Sequence, residues 1–189
     1  MGKEYLLDTN AYFNMLKALN LPELAGQYSE QIELIKQGTI AISSITKVEI
    51  ISVLGKYARG VNGGYQKCNG IISEDGKICP NSRYVTPRKK WNTRMVKAWV
   101  KLVEDIHEGK SESIAIGILP FNEATVQKAQ KIIMYALEHS FGSLDAMIAA
   151  TAENEIDNDI EVVVITSDKA LKQCLEKCSI PFWDAFNST

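Results

Sequence analysis

Asp8, Glu49, Asp145 and Asp168 are the residues of this sequence whose type and setting point to chemistry. Asp8 closes the short apolar run Tyr5-Leu6-Leu7. Asp168 follows Val162-Val163-Val164-Ile165 through Thr166-Ser167. Glu49 lies one turn into the helix expected after Thr39-Ile40-Ala41-Ile42-Ser43, and Asp145 lies in the first turn of another expected helix, where the dipole also favours an acid. In an open parallel sheet, ligands sit beyond the carboxyl ends of the strands. If the two apolar runs are neighbouring strands of such a sheet, all four acids share one rim.

Each acid alone has a plain use. Asp8 and Asp168 can cap helices, Glu49 can belong to a solvated helix face, and Asp145 can serve its helix dipole. Gathered together, they would raise one another's pKa, a penalty that a divalent cation removes. A set of hard oxygen donors without His or Cys favours Mg²⁺ or Mn²⁺ over Zn²⁺. A phosphodiester suits such a centre, because the metal can activate a water, orient its attack and neutralise developing charge. An alternative, Asp8 as a phosphoryl-accepting nucleophile, calls for an acid two residues on, and the chain has Asn10 there.

The elements that must position these acids follow from periodicity. Short apolar runs predict strands at residues 5–7, 39–43, 113–119, 162–165 and 182–183. Helices are expected over 11–19, 22–37 (with Pro22 in the first turn and Gly38 ending it), 45–58, 91–107, from Asn122 to 139, 144–155 under a Ser143 cap, and 169–177. The apolar faces would be Val48, Ile50, Ile51 and Leu54, then Met95, Val96, Trp99, Val100 and Val103, then Val126, Ala129, Ile133, Ala136 and Leu137. Alternating strands and helices predict an α/β fold, a three-layer α/β/α arrangement around a central parallel sheet. The 189 residues fit a single domain spanning 1–189, with an insertion at about 59–95 that is rich in Gly, Asn and Lys and shaped as a hairpin.

The net charge of −2 hides an asymmetry. Residues 56–101 hold eleven Lys or Arg against Glu74 and Asp75, a balance of +9, which leaves −11 for the rest. An acidic body with a basic arm suits a polyanion. Within the arm, Arg83, Arg88, Lys89, Lys90 and Arg94 lie among Tyr84 and Trp91, a mixture fit for phosphate contact and base stacking. A solvated arm, or one packed on a second subunit, is the plain alternative. The N-terminal apolar run is too short for a signal peptide or a membrane span, which leaves a cytoplasmic protein as the expectation. Four cysteines are too few for a disulfide scaffold. Cys174 and Cys178 read as small buried hydrophobes, whereas Cys68 and Cys79 flank turn signals and could meet across a hairpin. His107 and His139, near helix C-terminal ends where a cation suits the dipole, are not expected to be catalytic.

Four segments carry a family likeness. Leu6-Leu7-Asp8-Thr9-Asn10, Ser43-Ser44-Ile45-Thr46-Lys47-Val48-Glu49-Ile50, Ser143-Leu144-Asp145-Ala146-Met147-Ile148-Ala149-Ala150-Thr151-Ala152 and Val164-Ile165-Thr166-Ser167-Asp168 resemble the four motifs of the PIN-domain nucleases. They look most like the VapC-type toxins of type II toxin–antitoxin systems, over roughly residues 3–58 and 115–182. The resemblance implies a metal-dependent endoribonuclease that leaves a 5′-phosphate and a 3′-hydroxyl. It makes Asp8 and Asp145 the principal metal ligands, Glu49 a ligand directly or through water, and Asp168 a fourth acid. Asn10 and Thr166 match supporting polar positions, or serve only as caps and turn formers. Implied partners are an RNA substrate, an antitoxin protein and a second copy in a homodimer. The basic insertion departs from minimal VapC-type toxins, which keeps two other readings open: a housekeeping RNA-processing nuclease and a non-catalytic RNA-binding module.

Overall fold

A computed structural model describes residues 2–21, 26–68, 71–72, 77–78 and 80–186, with the backbone alone at 71–72, 77–78 and 83. Cys79, which could meet Cys68 across a hairpin, and the Pro22 helix start lie outside the described residues. The chain divides into two compact units, residues 1–50 with 105–189, and residues 51–104. The expected insertion at 59–95 lies inside the second.

The first unit contains β1 (Glu4–Leu7), α1 (Thr9–Asn20), α2 (Ser29–Lys36) and β2 (Thr39–Ser43). Helix α3 (Ser44–Arg59) leads out of it. In the second unit follow β3 (Gly64–Lys67), β4 (Ile71–Ile72), β5 (Lys77–Ile78) and β6 (Ser82–Val85), and α4 (Thr93–His107) leads back. The first unit then continues with β7 (Gly117–Leu119), α5 (Glu123–Ile132), a 3₁₀ turn (Ile133–Leu137), α6 (Ser143–Ile156), β8 (Val162–Ile165), α7 (Lys169–Lys177) and β9 (Phe182–Trp183).

The first unit's sheet is parallel throughout, in the order β7-β2-β1-β8-β9. Its register aligns the carboxyl ends: Leu7 pairs with both Ile42 and Ile165, and Ile165 pairs with Trp183. The residues that follow, Asp8, Ser43, Thr166 and Asp184, therefore line one rim, as the sequence predicts for Asp8. Successive side chains point to opposite faces. Leu6, Ala41, Val162 and Val164 take one face and join a core with Ala129 and Ile132 of α5, Ala146, Ile148, Ala149, Ala150 and Ala152 of α6, and Leu171 and Leu175 of α7. The alanines let α6 lie close, and each larger aliphatic fully buried contributes about 1.5–3 kcal/mol. Leu7, Ile42 and Ile165 point to the opposite face; like Tyr12, Met15 and Leu16 of α1 and Ile35 of α2, they are fully buried.

Several expected boundaries and faces move. Helix α2 begins at Ser29, and the strand predicted over 113–119 shrinks to Gly117–Leu119. Ser143 is the first helical residue of α6 and not its cap; the cap is Gly142. Val48 and Ile51 are 74% and 44% exposed, because α3 buries Thr46, Ile50 and Leu54 instead. Helix α5 likewise buries Thr125, Ala129 and Ile132, ends at Ile132, and leaves Val126 and Leu137 exposed.

In the second unit, β3 pairs antiparallel with β6 and β4 with β5, so the expected hairpin is present. Its neck is tied by Val61 N–H to Arg88 O at 2.8 Å and Arg88 N–H to Val61 O at 2.9 Å. Gly60 has φ +59°, and a Cβ there would meet the Lys90 backbone at 2.8 Å, so both conformation and space call for glycine. Leu54, Trp99 and Val103 are buried, and Trp91 sits with its ring 4.6 Å from Tyr57 and 5.4 Å from Trp99. Met95, expected on the buried face of α4, is exposed.

Candidate functional site

Asp8 is 3% exposed, where β1 gives way to α1. Its Oδ1 accepts the Ala11 N–H at 2.5 Å, capping α1, and its Oδ2 accepts the Thr166 hydroxyl at 2.5 Å. Burial pushes its carboxyl up to about 6; the Ala11 and Thr166 bonds oppose this, and Asp168 and Glu49 reinforce it. Asp145 is half-buried, and its Oδ2 accepts the Gly142 N–H at 2.8 Å across the start of α6. Its carboxyl is also raised, first by burial, against the Gly142 bond, and further by Asp168 and Glu49.

Asp168 caps α7, with Oδ1 accepting the Ala170 N–H at 2.7 Å and the Leu171 N–H at 3.2 Å. Glu49 accepts the Thr9 hydroxyl. Glu49 and Asp168 each act electrostatically on both Asp8 and Asp145, which links the four acids through that shared pair. The aligned strand ends account for Asp8 and Asp168. Ser43, whose Oγ accepts the Thr46 N–H at 3.1 Å, starts α3 at the end of β2 and so sets Glu49 one turn above it.

Of the expected supports, Thr166 does hold Asp8, and its Oγ1 also accepts the Asp168 N–H at 3.0 Å. Asn10 is exposed. Two polar residues, one bonded to Glu49 and one at the aligned strand ends, were missed by sequence reasoning. Thr9 holds Glu49, though nothing in its position distinguishes it from an ordinary helix start. Asp184, after β9, accepts the Ser167 hydroxyl at 2.5 Å and pairs with Lys172; it follows Phe182-Trp183 as Asp8 follows Leu7, which was a readable signal. His107 does lie in the last turn of α4. Burial, and then Lys47, lower its pKa, and its Nε2 lies 3.3 Å from the Tyr12 hydroxyl.

The donor set is all oxygen, and burial raises two of its carboxyls, so its chemistry fits a hard divalent cation such as Mg²⁺ or Mn²⁺. Among the described residues, however, no three acidic, His or Cys side chains are arranged as a ready metal cage. The carboxylates of Asp8, Asp145 and Asp168 each have an oxygen committed to a backbone amide.

The basic residues expected to contact RNA lie in the second unit or at its helix. Arg83 stands on β6 opposite Gln66 in register. Arg88 is half-buried with its guanidinium 5.3 Å from the centre of the Tyr57 ring, while Lys89, Lys90 and Arg94 are exposed. Tyr84 is exposed, but Trp91, expected beside it as a stacking ring, packs within the unit.

A profile of the family described as PIN domain matches residues 5–174. Among solved structures, FitAcB from Neisseria gonorrhoeae is similar at 14% identity and a TM-score of 0.58, covering 97% of this chain and 99% of that one. VapBC2 from Rickettsia felis, solved bound to a DNA fragment from the promoter, is similar at 18% identity and a TM-score of 0.54, covering 95% and 97%. At these identities the likeness is one of fold. None of the curated proteins compared with the chain matches significantly. Among the described residues no helix is long and apolar enough to cross a membrane.

Proposed function

Because this chain belongs to the PIN domain family, we propose that it is a Mg²⁺- or Mn²⁺-dependent endoribonuclease, acting as a VapC-type toxin in the cytoplasm with an antitoxin partner. The reading is supported by the electrostatic action of Glu49 and Asp168 on both Asp8, at the carboxyl rim of the sheet, and Asp145. Four carboxylates with one electrostatic neighbourhood are a poor arrangement for stability alone.

When bound, a divalent cation would supply the positive charge that lets these carboxyls ionise together, along with Lewis acidity toward a phosphodiester and its attacking water. Asp8 and Asp145 would be its principal holders, and Glu49 and Asp168 would complete the acidic set. The chain's own part is to aim these groups. Ala11 N–H and the Thr166 hydroxyl fix both oxygens of Asp8. Gly142 N–H holds one oxygen of Asp145, and Thr9 holds one of Glu49, leaving their other oxygens for a ligand. The surrounding burial excludes water from Asp8, which strengthens every interaction made there. The balance of +9 over residues 56–101 suits a polyanionic substrate, and the likeness of the four motifs to PIN-domain ribonucleases makes that substrate RNA.

A non-catalytic RNA-binding module is the second reading, favoured by the missing ready-made cage among the described residues. Incubation of the protein with single-stranded RNA in Mn²⁺ or in EDTA separates the two. Cleavage in Mn²⁺ alone, leaving 5′-phosphate ends, supports the nuclease; binding without cleavage in either buffer supports the module.

A further inference from the structure

On the hairpin of β3 and β6, Tyr65 and Tyr84 stand directly opposite each other. Their ring centroids are 5.4 Å apart, edge to face at 72°. Cross-strand aromatic pairs stabilise ribbons, but this one stays 81% and 63% exposed, so most of its ring surface faces water. Side chains two apart on a strand share a face, which puts the exposed Lys67 on the side of Tyr65. Tyr84 also borders a depression of about 430 Å³ whose other walls include Lys56, Arg59 and Arg88. Among the described residues no carboxylate forms an ion pair with any of those three. Arg59 and Arg88 recur in an adjoining concavity of about 610 Å³, beside Lys89 and Lys90.

Cations gathered without counter-charges repel one another, and a phosphate backbone relieves that repulsion. Exposed rings beside them add something that phosphate does not need, a flat surface for a base. A duplex keeps its bases stacked inside, so rings and cations together serve an unpaired strand. Trp91 and Tyr57 do not compete for this role. Trp91 is in ring contact with Tyr57 and Trp99, and Tyr57 carries the Arg88 guanidinium over its face.

We propose that Tyr65 and Tyr84 form a base-stacking platform for single-stranded RNA, with Lys56, Arg59 and Arg88 holding the adjoining phosphates. The choice of RNA rests on the nuclease reading above; the platform itself rests on the hairpin.

The test uses the full chain in EDTA, so that cleavage is silent. Fluorescence anisotropy compares an unstructured RNA of about twelve nucleotides with an abasic ribose-phosphate strand of the same length and charge. The wild type is expected to prefer the base-bearing strand by at least about tenfold. Joint Tyr65→Ala and Tyr84→Ala substitution should erase that preference and leave abasic binding unchanged. Joint Tyr65→Phe and Tyr84→Phe substitution should retain it, which guards against simple loss of the hairpin. Lys56→Ala with Arg59→Ala should weaken both strands alike. Equal wild-type affinity for the two strands would overturn the proposal, as would a preference that survives the alanine pair. Cleavage in Mn²⁺ is scored separately: a base preference without cleavage sinks the nuclease reading and keeps the platform, and cleavage without preference does the reverse.

Discussion

The Thr166 hydroxyl donates to Asp8 Oδ2 at 2.5 Å, joining the ends of two neighbouring strands at a point where both side chains are buried. Because the acceptor can carry charge, this bond should contribute more than a neutral one. Thr166→Val keeps the shape and removes the donor. We expect a loss of about 1.5–3 kcal/mol at pH 7, and less at pH 4, where Asp8 is protonated. Urea unfolding at both pH values in EDTA checks this; equal losses would show that the charge on Asp8 plays no part.

The raised carboxyl of Asp8 gives stability a definite pH sense. Between roughly pH 4 and pH 6 the folded chain keeps a proton that the unfolded chain has released. This contribution is therefore complete below about pH 4 and is lost as pH rises through about 6. A shift from 3.8 to about 6 corresponds to about 3 kcal/mol. In EDTA, Asp8→Asn should be more stable than the wild type at pH 7.5 by up to that amount, and should match it near pH 3.5. Parallel stability curves for the two proteins would contradict the assignment.

A cation that binds only the folded site stabilises it by mass action, by about 2.7 kcal/mol at a hundred times its dissociation constant. Mn²⁺ should therefore raise the thermal midpoint of the wild type at pH 7.5, reversibly with EDTA, and should do so far less for Asp145→Asn. A rise of the same size in both would place the bound ion elsewhere.

The second unit depends on its ring contacts. Trp91→Ala removes one ring contact from each of Tyr57 and Trp99, and should destabilise the unit by about 2–4 kcal/mol, while Trp91→Phe loses less. Near-ultraviolet circular dichroism during unfolding reports it. An unchanged melting curve for the alanine variant would mean that this cluster is ornamental to the unit's stability.

The places of Asp8 and Asp168 just past strand ends and of Asp145 in the first turn of α6 were legible in the sequence, because apolar runs marked the strands and a helical pattern followed Ser143. The parallel sheet was legible for the same reason. Helix faces were harder where threonine takes a core position. Thr46 and Thr125 are fully buried, and each satisfies its hydroxyl locally, Thr46 with Ser43 and Thr125 with the Asn122 carbonyl at 2.7 Å. A polar residue so satisfied can enter the core and turn Val48 or Val126 outward, which a hydrophobic count does not foresee. In the insertion, the signs of Tyr84 and Trp91 were indistinguishable. Only the strand register and the ring contacts sent one outward and the other inward. Thr9 escaped notice because its partner, Glu49, is 40 residues away.

The central claim is that acids from distant parts of the chain work as one centre, and a double-mutant comparison of RNA cleavage in Mn²⁺ tests it most directly. Asp8→Asn and Asp145→Asn should each lower kcat/KM at least about a hundredfold, and the double variant should fall little further, since groups that act as a unit are not additive. Full activity in either single variant, or losses that simply multiply in the double, would contradict it.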